Sequence, residues 1–62
     1  QPLIMLASRL ADKIRPGGDI VLSGILSHQA REVMEAYEPW FVMDEPEQRE
    51  EWVRLTGRRR DR

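Results

Sequence analysis

The spacing of apolar positions changes several times along this chain, and each change marks an element. Leu3, Ile4, Leu6, Leu10 and Ile14 recur at helical spacing, with Arg9, Asp12 and Lys13 on the other face. Pro2 suits the first helical turn, where its missing N–H is not needed. Pro16 disfavours helical geometry in the residue before it, so the helix is expected to stop near Arg15. Pro16-Gly17-Gly18-Asp19 predicts a turn. Ile20-Val21-Leu22 is a short apolar run ending at Ser23-Gly24. Its continuous apolar character predicts a strand covered on both faces, as in a parallel sheet.

Ser27 is the expected N-cap of a second helix. Ala30, Val33, Met34 and Tyr37 fall at i, i+3, i+4 and i+7, while Glu32, Glu35 and Glu38 point elsewhere. Pro39 ends that helix. Trp40-Phe41-Val42-Met43 is rich in strand formers, Asp44-Glu45-Pro46-Glu47-Gln48 reads as a polar loop, and Glu51 to Thr56 alternates as a final strand. The expected order is helix, strand, helix, strand, strand. The stretch from Ile20 to Met43 is a βαβ pattern, so its strands should be parallel with a right-handed crossover. The last two strands are close in sequence and suggest a hairpin. The fold class that follows is α/β, a mixed three-stranded sheet with both helices on one face.

Composition narrows the chemistry. With 62 residues the chain makes at most one small domain, which buries only about 60% of its unfolded surface and has a thin stability margin. There is no cysteine and one histidine, His28, so a disulfide is excluded and a zinc cluster nearly so. Absence of cysteine fits a reducing, cytoplasmic setting. No apolar run approaches the roughly 20 residues of a membrane span. The first residues lack the basic region of a signal peptide. A net charge of −1 gives no global pull toward nucleic acid.

Two stretches carry a resemblance. Arg15-Pro16-Gly17-Gly18 leads into Asp19-Ile20-Val21-Leu22-Ser23-Gly24-Ile25-Leu26, and Glu50-Glu51-Trp52-Val53-Arg54-Leu55-Thr56-Gly57-Arg58 follows later. Together they resemble the C-terminal third of the catalytic domain of the ribosomal protein L-eleven methyltransferases, the PrmA family. The resemblance spans nearly the whole chain. "PGG" before a strand is widespread among class I methyltransferases, whereas "LSGIL" with "EEWVRLTGR" at this separation is far more specific. The resemblance implies a Rossmann-like class I sheet in which Ile20–Leu22 is the fifth strand. The Trp52–Thr56 strand would insert antiparallel between it and Trp40–Met43.

It also implies a parent enzyme that moves a methyl group from S-adenosylmethionine to amino groups of a ribosomal protein. Residues 1–62 would be a partial domain of that enzyme. The donor's glycine-rich turn and ribose-binding carboxylate would lie upstream, and this chain has no G-x-G-x-x-G pattern. No catalytic, cofactor-binding or metal residue is therefore assigned here, and the piece alone is expected to be inert. The fold would also suit a methyltransferase with another acceptor, because function resides in the site rather than the fold.

The one candidate site is Ser23, Gly24, Ile25 and Leu26. Past the carboxyl end of a parallel strand, these residues would form a loop beside the methyl-transfer pocket; as local structure they are a glycine turn leading into a helix. His28 has no carboxylate at partner spacing and reads as an exposed helical residue. Asp44, Glu45, Glu47, Glu50 and Glu51 lack a Ca²⁺-loop spacing and read as a solvated turn. Trp40 and Trp52 are read as covering the core where the terminal strands meet rather than as base-stacking platforms. The basic run Arg58-Arg59-Arg60 with Arg62 could grip RNA phosphates, which would make the chain a small RNA-binding module. Asp61 interrupts the run, and residues 58–62 are expected to be a frayed terminus. Excision from a larger sheet would leave an apolar strand edge through which the chain self-associates.

Overall fold

The computed structural model describes residues 2–61. Helix α1 (Pro2–Lys13) leads into strand β1 (Asp19–Leu26). One turn of 3-10 helix at Ser27–Gln29 opens helix α2 (Ala30–Tyr37). Strands β2 (Phe41–Met43), β3 (Glu47–Arg49) and β4 (Trp52–Arg59) follow.

β4 lies between β1 and β2 and is antiparallel to both. β1 and β2 are therefore parallel to one another, as the βαβ pattern requires, but the last strand separates them. β3 pairs antiparallel with the first residues of β4. The expected mixed three-stranded sheet is thus a four-stranded one in which every hydrogen-bonded pair is antiparallel. The added strand falls where a polar loop was expected. Its residues carry no apolar signal because all three are exposed. Glu50 and Glu51 form a tight turn that folds Glu47–Arg49 back on Trp52–Arg54, and the Arg54 guanidinium donates to the Glu47 carboxylate across the pair.

One face of the sheet makes the core. Ile20, Leu22 and Ile25 of β1, Val53 and Leu55 of β4 and Phe41 of β2 form a single buried cluster with Ala7, Ala11, Ala30, Val33 and Tyr37 of the helices. The two helices accordingly share that face. The other face is open: Val21 and Val42 are more than half exposed and Trp52 is half exposed. Both helices are on one face, as expected, so the second face of Ile20–Leu22 has no cover within this segment. Within these 62 residues, both helices lie on the same side, so alternate residues of β1 meet solvent.

α1 packs through most of the expected stripe, but it is centred on two alanines and leaves Leu6 out. Ala7 and Ala11 are its buried residues, flanked by half-buried Leu3, Ile4, Leu10 and Ile14, while Leu6 and Met5 are exposed. Small side chains one turn apart let the α1 backbone approach α2, and the larger residues pack around that contact. In α2 the expected stripe is present, with Ala30, Val33 and Tyr37 buried and Met34 packed against them. The Tyr37 hydroxyl donates to the Leu3 carbonyl at 2.7 Å, and its ring meets Phe41 with centroids 5.8 Å apart. Burial pushes the pKa of that hydroxyl up, because the phenolate would lose its hydration.

Two local expectations are corrected. Ser27 does not cap α2. It lies in the 3-10 turn, and the Gln29 side chain instead accepts a hydrogen bond from the Leu26 N–H at 3.2 Å. Nor are residues 58–60 frayed. Arg58 and Arg59 belong to β4. The Arg59 Nε donates to the Ala11 carbonyl at 2.9 Å, and the Arg60 Nε donates to the Glu38 carbonyl at 2.8 Å. Each guanidinium thus satisfies a carbonyl at the C-terminal end of a helix, where the helix dipole favours a cation. A count of charges along the sequence cannot see such partners. Arg62 lies outside the described residues. Among the described residues no helix is long and apolar enough to cross a membrane.

Candidate functional site

The Ser23-Gly24-Ile25-Leu26 segment is part of β1 rather than a loop beyond it. Leu22 stands opposite Leu55 and Ile25 opposite Val53, so Ser23 and Gly24 together face Arg54 alone. This is a β-bulge, one extra residue on one strand of an antiparallel pair. Gly24 supplies the backbone it needs, with φ +74°.

The bulge decides which way the rest of the strand faces. Without the extra residue, strict alternation would put Ile25 on the open face beside Val21. With it, Ile25 is fully buried in the core cluster while Ser23 and Gly24 are exposed. The four residues of the candidate site therefore divide. Ser23 and Gly24 face outward, Ile25 is a core residue, and Leu26 is half-buried opposite Trp52 at the end of the pairing.

Ser23 and Gly24 form one wall of a shallow depression of about 330 Å³. Trp52, Arg54, Glu47 and Arg49 complete it from β4 and β3. The β3–β4 turn is anchored beside the end of β1, because the Ser27 N–H donates to the Glu51 carbonyl at 2.8 Å. Glu50, in that turn, has φ +55°. The depression therefore sits toward the carboxyl end of β1, the end at which open α/β sheets place ligands. Its surfaces are an indole, a hydroxyl, a glycine backbone and two guanidiniums, that of Arg54 tied to the Glu47 carboxylate. Such a set can shape and orient a ligand; it contains no paired acid and base to activate a nucleophile.

Trp52, Arg54, Arg49 and Glu47 were not singled out as site residues from the sequence, and Trp52 was expected to cover the core. The signal for its true position was the alternation itself. In Trp52-Val53-Arg54-Leu55 the indole shares a parity, and hence a face, with Arg54 rather than with Val53 and Leu55. Trp40 does pack against the core, half-buried. His28 is exposed in the 3-10 turn. Among the described residues no group of three His, Asp or Glu side chains is placed to hold a metal ion.

Gly24 is a direct test of the bulge. A Cβ there would meet no atom within 4 Å, so only the positive φ opposes it. Gly24→Ala is expected to cost about 1 kcal/mol, the penalty of a left-handed backbone for an L residue. Thermal melts followed by tryptophan fluorescence would measure it. An unchanged melting temperature would show that the backbone at this position does not need a glycine.

The model of the family described as "Ribosomal protein L11 methyltransferase (PrmA)" matches residues 1–60. A ribosomal protein L11 methyltransferase from Marinobacter nauticus is 77% identical over 61 residues, covering 98% of this chain. Proteins of the same name from Shewanella woodyi and Thiobacillus denitrificans are 56% and 54% identical over 59 residues, covering 95% of the chain. The chain spans 20% of the length of each of these relatives. With nearly every residue matched, and at this identity, the chain belongs to the ribosomal protein L11 methyltransferase family.

Proposed function

We propose that this chain is the C-terminal part of the catalytic domain of a protein methyltransferase. The whole enzyme transfers a methyl group from S-adenosylmethionine to amino groups of a ribosomal protein in the cytoplasm. The observation that carries this reading is the 77% identity, over 98% of the chain, to a relative bearing that name. The sheet supports it. An antiparallel last strand between two parallel ones is what a class I methyltransferase sheet has at its end, and β1 has a free edge to which further parallel strands can add. In that sheet β1 would be the fifth strand, and the depression beside Ser23 and Gly24 would border the acceptor's approach.

The segment by itself does not fit the methyl donor. Donor cradles of this kind place a glycine-rich turn between a strand and a helix N-terminus, where free N–H groups face the ligand. Gly17 precedes a strand instead, and its N–H is held by the Arg59 carbonyl at 2.9 Å. Gly24 lies inside a strand. The isolated chain is therefore inert in this reading, and its contribution to the whole enzyme is the wall beside the acceptor.

An RNA-binding module built on the arginine run is the rival reading. It is disfavoured because Arg59 and Arg60 spend their side-chain donors on main-chain carbonyls, leaving fewer to meet phosphates. Calorimetric titration of S-adenosylmethionine separates the two. The full-length protein is expected to bind the donor and to methylate the purified ribosomal protein, while the 62-residue chain gives no heat of binding. Micromolar donor binding by the short chain, or absence of methylation by the long one, would overturn the proposal.

A further inference from the structure

We infer that the end of β4 and the two arginines there form a closing strap, which locks both helices onto the sheet only once the last residues of this segment are in place. The inference does not depend on the functional reading above.

β4 is the hub of the sheet. β1, β2 and β3 each pair with it, and among the described residues none of them pairs with another. It also contributes Val53 and Leu55 to the core. Without β4, none of the other three strands has a partner among the described residues, and the helices have little of this sheet to pack on. Within this segment the strand that comes last in the sequence is the central one.

The strap proper is Arg59-Arg60. The Arg59 N–H donates to the Gly18 carbonyl at 2.8 Å, and its carbonyl accepts from the Gly17 N–H at 2.9 Å. Its guanidinium reaches the Ala11 carbonyl in the last turn of α1 and the Trp40 carbonyl at 3.3 Å. The Arg60 N–H donates to Trp40, and its Nε to the Glu38 carbonyl that ends α2. Two consecutive residues therefore hold the end of α1, the turn after it, the end of α2 and the start of β2. Arg58, one residue earlier, makes from its side chain a long, exposed contact with Asp19 at 3.9 Å and no other polar contact among the described residues. That difference makes Arg58 the control.

Hydrogen exchange on the full-length protein that carries this segment tests the strap. Arg59→Ala is expected to raise exchange at residues 11–18 by about tenfold or more, the loss expected when charge-assisted hydrogen bonds are removed. Arg60→Ala should do so at residues 38–41, and Arg58→Ala at neither. Ending the chain after Arg58 should open both regions together, whereas ending it after Arg60 should leave them protected. If Arg59→Ala prevents folding, Arg60→Ala carries the test, because it removes a single side-chain bond. Native protection at these sites in the variants, or a rise of equal size in every element, overturns the strap.

Discussion

Leu22→Asp is expected to abolish the folded state of the chain, whereas Val21→Asp, one residue earlier, leaves it standing. Leu22 is 6% exposed and sits opposite Leu55 in the core, while Val21 is 61% exposed on the open face. An unpaired carboxylate forced into the core costs several kcal/mol, or shifts its pKa and still leaves an unsatisfied polar group. Domains as small as this one have only a few kcal/mol in hand. At Val21 the carboxylate stays in water, and surface substitutions usually change stability by about 0.5 kcal/mol or less. Circular dichroism and tryptophan fluorescence melts of the two variants make the comparison. Equal losses would mean that β1 is covered on both faces even in the short chain. The same Val21→Asp change should become destabilising in the full-length protein, where the proposed fold covers the outer face. That reversal is specific to a segment cut from a larger sheet.

The second large effect is self-association. Among the described residues β1 pairs on one side only. The open face carries Val21, Val42 and Trp52. A free strand edge beside exposed apolar side chains is a template for another chain. The isolated chain is expected to sediment as a concentration-dependent mixture. Val21→Lys combined with Trp52→Lys should return it to a monomer, because charge on an edge strand and its face discourages pairing. A concentration-independent monomer of the parent sequence, melting above about 60 °C, in the upper part of the mesophile range, would show that these 62 residues close a core of their own. The lysine pair would then change nothing, which separates this outcome from a weak but real association.

Much of this molecule was legible along the chain because the signals were local. Pro2 and Pro16 bound α1, Pro39 follows α2, and the stripe Ala30, Val33, Met34, Tyr37 is the face α2 buries. The paired motifs around Leu22 and Trp52 pointed to the family and to an antiparallel last strand between β1 and β2. Helical periodicity and proline geometry are properties of neighbouring residues, so these elements can be read along the chain.

The remaining features arise from contacts across the fold. Ser23 and Gly24 look like the end of a strand in one dimension; opposite Arg54 they become a bulge that carries β1 on and turns Ile25 into the core. Glu47–Arg49 has no apolar signal, and it is a strand because the turn at Glu50 and Glu51 lays it against β4. Ala7 and Ala11 are buried because α2 approaches there, which displaces Leu6 to the surface. Arg59 and Arg60 read as a loose basic tail until the ends of two helices, 48 and 22 residues away, present carbonyls to them. In each case the deciding partner is distant in sequence. A residue's face, its register and the partner of its charge are set by what packs or pairs across the fold, and no run of neighbouring residues contains that information.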